Sequence, residues 1–93
     1  MTAEPAATQI SLGPLTFDAV VAGPADGAPV LLLHGFPESS WSWRFVQAGL
    51  AEAGYRSVAP DLRGYSPGAN PADPADYRIE TLVGDVLGMA DQL

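Results

Sequence analysis

The sequence predicts an α/β fold: a β-hairpin, then strand, helix, strand and helix feeding a parallel sheet. Three observations carry that expectation. Two β-prone segments flank Gly13-Pro14. Val30 to Leu33 is a short continuous apolar run, the pattern of a strand covered on both faces. Apolar residues then recur at helical spacing in two later segments.

Residues 1–6 read as a frayed tail, after which Thr8 to Leu12 and Leu15 to Val21 form the hairpin. Gly23-Pro24-Ala25-Asp26-Gly27 is a turn cluster leading into the strand at Val30. Ser39 or Ser40 caps a helix running to about Ala53, with Trp43, Val46, Leu50 and Ala53 on one face and Gly54 as a left-handed stop. Tyr55 to Pro60 reads as a second short strand, with Ser57, Val58 and Ala59 at its centre. Residues 64–76 hold three prolines, two glycines and an asparagine and read as an irregular loop. A last helix starts near Tyr77 or Ile79, its stripe being Ile79, Leu82, Val86, Met89 and Leu93. Gly84 and Gly88 in that helix predict close packing on the sheet.

Ninety-three residues, 47% hydrophobic and 16% charged, suit one small folded unit. Eleven acidic residues against four arginines give a net charge of −7, so no basic stripe exists for nucleic acid or an anionic membrane. With no cysteine and one histidine, neither a disulfide frame nor a thiolate or His-rich metal site can form, and no cofactor is expected. Met1 to Gln9 lacks the basic start and apolar core of a secretory signal, and no apolar run reaches the length of a bilayer span. The expectation is a cytoplasmic protein.

Candidate chemistry lies at His34-Gly35-Phe36-Pro37. Gly35 lets the backbone turn sharply at the strand end, and Phe36 then offers an N–H beyond the sheet. Pro37 has no N–H of its own and restricts Phe36. An N–H held out of the ladder in this way can stabilise negative charge developing on a substrate oxygen. A literal Gly-X-Ser-X-Gly string, Gly64-Tyr65-Ser66-Pro67-Gly68, is rejected as a nucleophile elbow. The residue after such a nucleophile lends its N–H, and Pro67 has none. Nor can Ala69-Asn70-Pro71-Ala72-Asp73-Pro74 continue as the helix an elbow requires.

Leu31-Leu32-Leu33-His34-Gly35-Phe36-Pro37-Glu38, the Trp41-Ser42-Trp43-Arg44 string and Asp61-Leu62-Arg63-Gly64 together resemble the N-terminal part of α/β-hydrolase-fold enzymes, in particular the epoxide hydrolase and dehalogenase branch. The resemblance runs from about Thr8 to Leu93 and implies that residues 1–93 are the N-terminal portion of a single, incomplete α/β-hydrolase domain. It implies Phe36 N–H as one oxyanion donor, with Phe36, Pro37 and Trp41 at the substrate and His34, Gly35, Asp61, Arg63 and Gly64 as structural motif. Arg44 becomes an ion-pair or carbonyl partner.

The family's nucleophile, acid and catalytic histidine have no match here, so the chain alone is expected to be inactive. The nucleophile of an intact relative is expected to be aspartate, acting on a small neutral electrophile. A serine esterase or lipase, a haloalkanoate dehalogenase, and a non-enzymatic fragment or one half of a split protein completed by a C-terminal fragment remain open.

Overall fold

Two β-prone segments joined by a glycine and a proline fold back on each other as their spacing predicts. In the computed structural model, which describes residues 5–35 and 38–93, β1 (Ala6–Leu12) pairs antiparallel with β2 (Leu15–Ala22), Ile10 lying opposite Phe17. Ala6, expected in the tail, is already paired with Val21; the rest of the expected tail, residues 1–4, lies outside the described residues. β3 (Pro29–Leu31) and β4 (Arg56–Pro60) complete a sheet of order β1-β2-β4-β3, with β4 antiparallel to β2 and parallel to β3. Leu32 N–H donates to the Val58 carbonyl at 2.9 Å, so the contact with β4 continues past the last residue of β3.

The run at 30–33 was expected to be covered on both faces, and it is not. Val30, Leu31 and Leu32 are half-buried and Leu33 is 40% exposed. The reason is topological: β3 is the edge strand of this sheet, and only its β4 side is paired. β4 carries the full burial instead, with Ser57, Val58, Ala59 and Pro60 all buried.

Ser39 caps the next element, its Oγ accepting from Trp41 N–H at 3.3 Å. A 3₁₀ turn, Ser40–Trp43, leads into α1 (Arg44–Glu52), and Gly54 follows at φ 91°. The buried face of α1 is rotated from the expected one: Gln47 and Ala51 point inward, Trp43 and Leu50 are half-buried, and Val46 and Ala53 are exposed. Gln47 wins the inner position because its Nε2 donates to the Val20 carbonyl at 3.0 Å and to Ser57 Oγ at 3.1 Å. Buried polar groups left without such partners are costly, which outweighs placing Val46 there.

The loop after β4 contains two short 3₁₀ turns, Pro67–Ala69 and Pro74–Tyr77, before α2 (Ile79–Asp91). Of the expected stripe, Met89 is buried and Leu82, Val86 and Leu93 are half-buried, but Ile79 is 67% exposed. Asp85 takes the central inward position. Gly88 packs on Leu12 of β1, whereas Gly84 faces open space.

The two helices lie against opposite faces of the sheet, α1 over β4 and β2 and α2 over β1. Ser57 meets α1, while its neighbour Val58 joins Ile10, Phe17, Ala19, Ala69 and Met89 in the core, as the period of two requires. Among the described residues no helix is long and apolar enough to cross a membrane.

Candidate active site

In open α/β sheets ligands bind beyond the carboxyl ends of the strands, and here the parallel strands β3 and β4 both run out into the residues singled out from sequence. The chain leaves β3 through Leu32 and Leu33 to His34-Gly35. β4 leaves through Asp61-Leu62-Arg63-Gly64. The two exits are tied to each other. Leu62 N–H donates to His34 Nε2 at 3.0 Å. An amide N–H can only donate, so Nε2 holds a lone pair and the neutral ring carries its proton on Nδ1. That Nδ1–H lies 2.9 Å from the Gly35 carbonyl oxygen and donates to it. The His34 ring is 7% exposed and meets the edge of Tyr65, centroids 4.6 Å apart.

Gly35 is held at both polar atoms. Its N–H donates to Glu38 Oε1 at 3.0 Å, and its carbonyl also accepts Glu38 N–H at 2.9 Å. Phe36 and Pro37, the expected oxyanion donor and its neighbour, lie outside the described residues.

The loop after β4 is fastened at every turn. Asp61 Oδ1 accepts Ser40 N–H at 2.6 Å, joining the loop to the cap of the α1 segment. Arg63 forms a two-pronged ion pair with Asp85 of α2, Nε to Oδ2 at 2.8 Å and Nη2 to Oδ1 at 2.9 Å, each side chain 11% exposed. The hydrogen bond to Asp85 holds the Arg63 guanidinium above its ordinary range, against the opposing effect of burial. Gly64 sits at φ 91°, a conformation that favours glycine, and a Cβ there would press on the Tyr77 ring at 3.0 Å.

Ser66 is fully buried. Its hydroxyl donates to the Asp61 carbonyl and accepts Asp18 N–H at 3.0 Å. The chain after it enters the 3₁₀ turn Pro67–Ala69 rather than an α-helix. Ser66 is thus built into the loop with its hydroxyl occupied, and it is not displayed at a strand-to-helix elbow.

These contacts bring His34, Gly35 and Arg63 to one cavity of about 210 Å³, which Leu62, Tyr65, Leu82, Asp85 and Val86 also line. Trp41 lies apart from it, 67% exposed on a shallow depression shared with Glu38, Arg44 and Tyr65. Arg44 stacks over Trp41 and Phe45, 4.2 and 4.6 Å from the ring centroids, and its Nη1 donates to the Trp41 carbonyl at 2.8 Å. Sequence reasoning did not find Asp85 or the Leu62 N–H. Asp85 had a legible signal, a carboxylate set on an apolar stripe three residues from Leu82 and four from Met89. The Leu62 N–H had none, being backbone.

Comparison with known proteins bears on the fold. The family model described as alpha/beta hydrolase fold matches residues 28–93. Epoxide hydrolase 3 of Siraitia grosvenorii is 48% identical over 73 residues, which cover 78% of this chain and 23% of that protein. Epoxide hydrolase B of Mycobacterium tuberculosis is 52% identical over 75 residues, covering 78% and 21%. Among solved structures, an epoxide hydrolase from Vigna radiata superposes with a TM-score of 0.87 at 38% identity, covering 96% of this chain and 28% of that one. One from an endophytic Streptomyces gives 0.85 at 38% identity, covering 94% and 26%. The chain spans about a quarter of the length of these relatives. With the family pattern matched from residue 28 to residue 93 and the backbone following solved epoxide hydrolases along nearly all of its length, the chain belongs to the α/β hydrolase fold family.

Proposed function

We propose that residues 1–93 are the N-terminal portion of an epoxide hydrolase-like enzyme and supply one half of its oxyanion hole through the Phe36 N–H. The observation supporting this reading is the place of His34-Gly35, past the carboxyl end of β3 and locked to the exit of β4 by the Leu62–His34 hydrogen bond. Phe36, Pro37 and Trp41 line the approach of a small neutral electrophile. His34, Gly35, Asp61, Arg63 and Gly64 hold the turn. The nucleophile is an aspartate contributed from outside these residues, and no cofactor takes part.

The reaction has two steps. A carboxylate oxygen forms a bond to an epoxide carbon as that carbon's bond to the ring oxygen breaks, and the ring oxygen takes a proton from a general acid contributed, like the nucleophile, from outside these residues. Water, losing a proton to a histidine, then adds to the ester carbonyl, and the resulting tetrahedral oxyanion is what the Phe36 N–H stabilises. Collapse breaks the ester C–O bond, the leaving oxygen takes the second proton of the former water, and the proton held by the histidine returns to the general acid, which leaves the diol, the carboxylate and a neutral histidine.

The isolated chain, carrying none of the triad, is expected to show no turnover of epoxides, haloalkanoates or aryl esters. The positive test is a chimera in which residues 1–93 replace the matching segment of the mycobacterial epoxide hydrolase B. Epoxide hydrolysis within about tenfold of the parent supports the reading. A folded chimera without that activity overturns it, and one that instead hydrolyses aryl esters through a serine favours an esterase.

A further inference from the structure

α1 turns Gln47 and Ala51 toward the sheet and leaves its other side bare. Phe45, Ala48, Gly49 and Glu52 share that outer side at helical spacing and are all exposed, Phe45 at 77%. Trp41, 67% exposed on the turn that leads into the helix, extends the surface. Two large aromatic side chains standing bare beside each other mark a docking surface. We propose that its occupant is a second copy of this chain, packed α1 against α1 in antiparallel about a two-fold axis at Ala48.

The charges of α1 select that partner. Arg44 opens the helix and Glu52 closes it, so each sits at the end of the macrodipole that carries its own sign. They stand about 12 Å apart along the axis, too far to pair within one copy. Among the described residues neither enters an ion pair. Antiparallel packing brings Arg44 of one copy level with Glu52 of the other, and the two-fold axis does so twice. Each charge then lies beside a helix end of opposite sign.

Shape points the same way. Trp41 and Phe45 put the bulk at one end of the face, while Ala48 and Gly49 leave its middle low, and a side chain at Gly49 would meet open space. Phe45 of each copy therefore seats over the small residues of the other. Arg44 is already held for the contact. Its guanidinium stacks on Trp41 and Phe45 at 4.2 and 4.6 Å and donates to the Trp41 carbonyl, so pairing costs it little further freedom. The face is neutral, one cation and one anion, although each copy carries a net charge of −7. That repulsion and the small contact make the dimer weak, with a dissociation constant on the order of 10–100 µM.

Sedimentation equilibrium of residues 1–93 carrying Ile79→Lys and Leu87→Lys, which blunt the separate apolar hollow beside α2, reads the α1 contact alone. A monomer–dimer equilibrium is expected. Phe45→Ala and Glu52→Arg should each weaken it by roughly tenfold or more, and Glu52→Gln by less. Raising salt from about 0.05 to 0.5 M should weaken the parent more than Glu52→Gln. Far-UV circular dichroism checks that each variant keeps its helices. The chain has no cysteine, so Ala48→Cys offers a second readout in an otherwise unaltered α1. A short bismaleimide should join two copies through residue 48, and should do so far less through Ala72→Cys in the exposed loop.

A chain that stays monomeric at several times the expected dissociation constant overturns the proposal. So does a dimer indifferent to both Phe45→Ala and Glu52→Arg, or cross-linking as efficient at residue 72 as at 48. A monomer that instead co-sediments with phosphatidylcholine vesicles, and loses this with Phe45→Ala, overturns it in favour of a lipid surface.

Discussion

Asp85 occupies the middle of a helix face that is otherwise apolar, and its pairing with Arg63 is what makes that position tolerable. Removing one partner leaves the other charge buried and unpaired. Asp85→Ala should therefore cost about 3–5 kcal/mol in urea denaturation of the folded chimera. The same variant should loosen the Leu62–His34 contact. The pH dependence follows from Arg63, whose value is raised by the hydrogen bond to Asp85. A raised cation contributes fully below its unfolded value and is lost only as pH climbs through its folded value. Both lie above the working range, so the stability difference between wild type and Asp85→Asn should stay flat between about pH 6 and 9. A steep change within that window would contradict the assignment. Ser66→Ala strands Asp18 N–H and the Asp61 carbonyl and should destabilise by about 1–3 kcal/mol. The folded fraction should still turn over epoxide; a loss of about 10⁴-fold or more would mark Ser66 as a nucleophile after all.

α1 shows how a helix chooses its inner face. By hydrophobic spacing Val46 belongs inside, but Gln47 is 2% exposed and Val46 is 44% exposed. The sheet surface beneath α1 offers the Val20 carbonyl and Ser57 Oγ, and the two N–H donors of the Gln47 amide satisfy both without burying a charge. The expected outcome is a contrast between neighbours: Gln47→Ala loses about 1–3 kcal/mol, whereas Val46→Ala stays within about 0.5 kcal/mol. Thermal or urea denaturation of the two variants decides it. The reverse order would mean that the apolar stripe, not the amide, seats the helix. α2 behaves the same way, its Asp85 drawn inward by Arg63 while Ile79 is turned out.

Among the described residues uncovered apolar surface lies in two places, at Trp41 and Phe45 on the α1 segment and along β3 and α2. β3 is paired only to β4, and Leu33, Ile79, Leu82, Val83, Val86 and Leu87 line an apolar hollow of about 290 Å³. No lysine or arginine sits among those residues to discourage edge-to-edge pairing. Residues 1–93 by themselves should self-associate or fold only in part. Replacing Ile79 and Leu87, 67% and 61% exposed, with lysine should raise the monomer fraction in light scattering coupled to size-exclusion chromatography. A monodisperse wild-type monomer with a sharp, reversible melt would show that this surface is no liability.

From sequence alone the elements and their order were legible, because strand and helix periods, turn residues and caps are local properties of the chain. Gly13-Pro14, Ser39 and Gly54 each did locally what their chemistry predicts. The family was legible too, since its motifs are runs of adjacent residues. What only the tertiary structure decided was which face each helix turned inward and which polar groups found each other across the chain. Gln47 reaches Ser57 and Val20, Arg63 reaches Asp85, and Leu62 N–H reaches His34. Those choices depend on satisfying buried donors and acceptors far apart in sequence. Hydrophobic spacing carries no information about such pairs, and a backbone N–H such as that of Leu62 leaves no mark in the sequence at all.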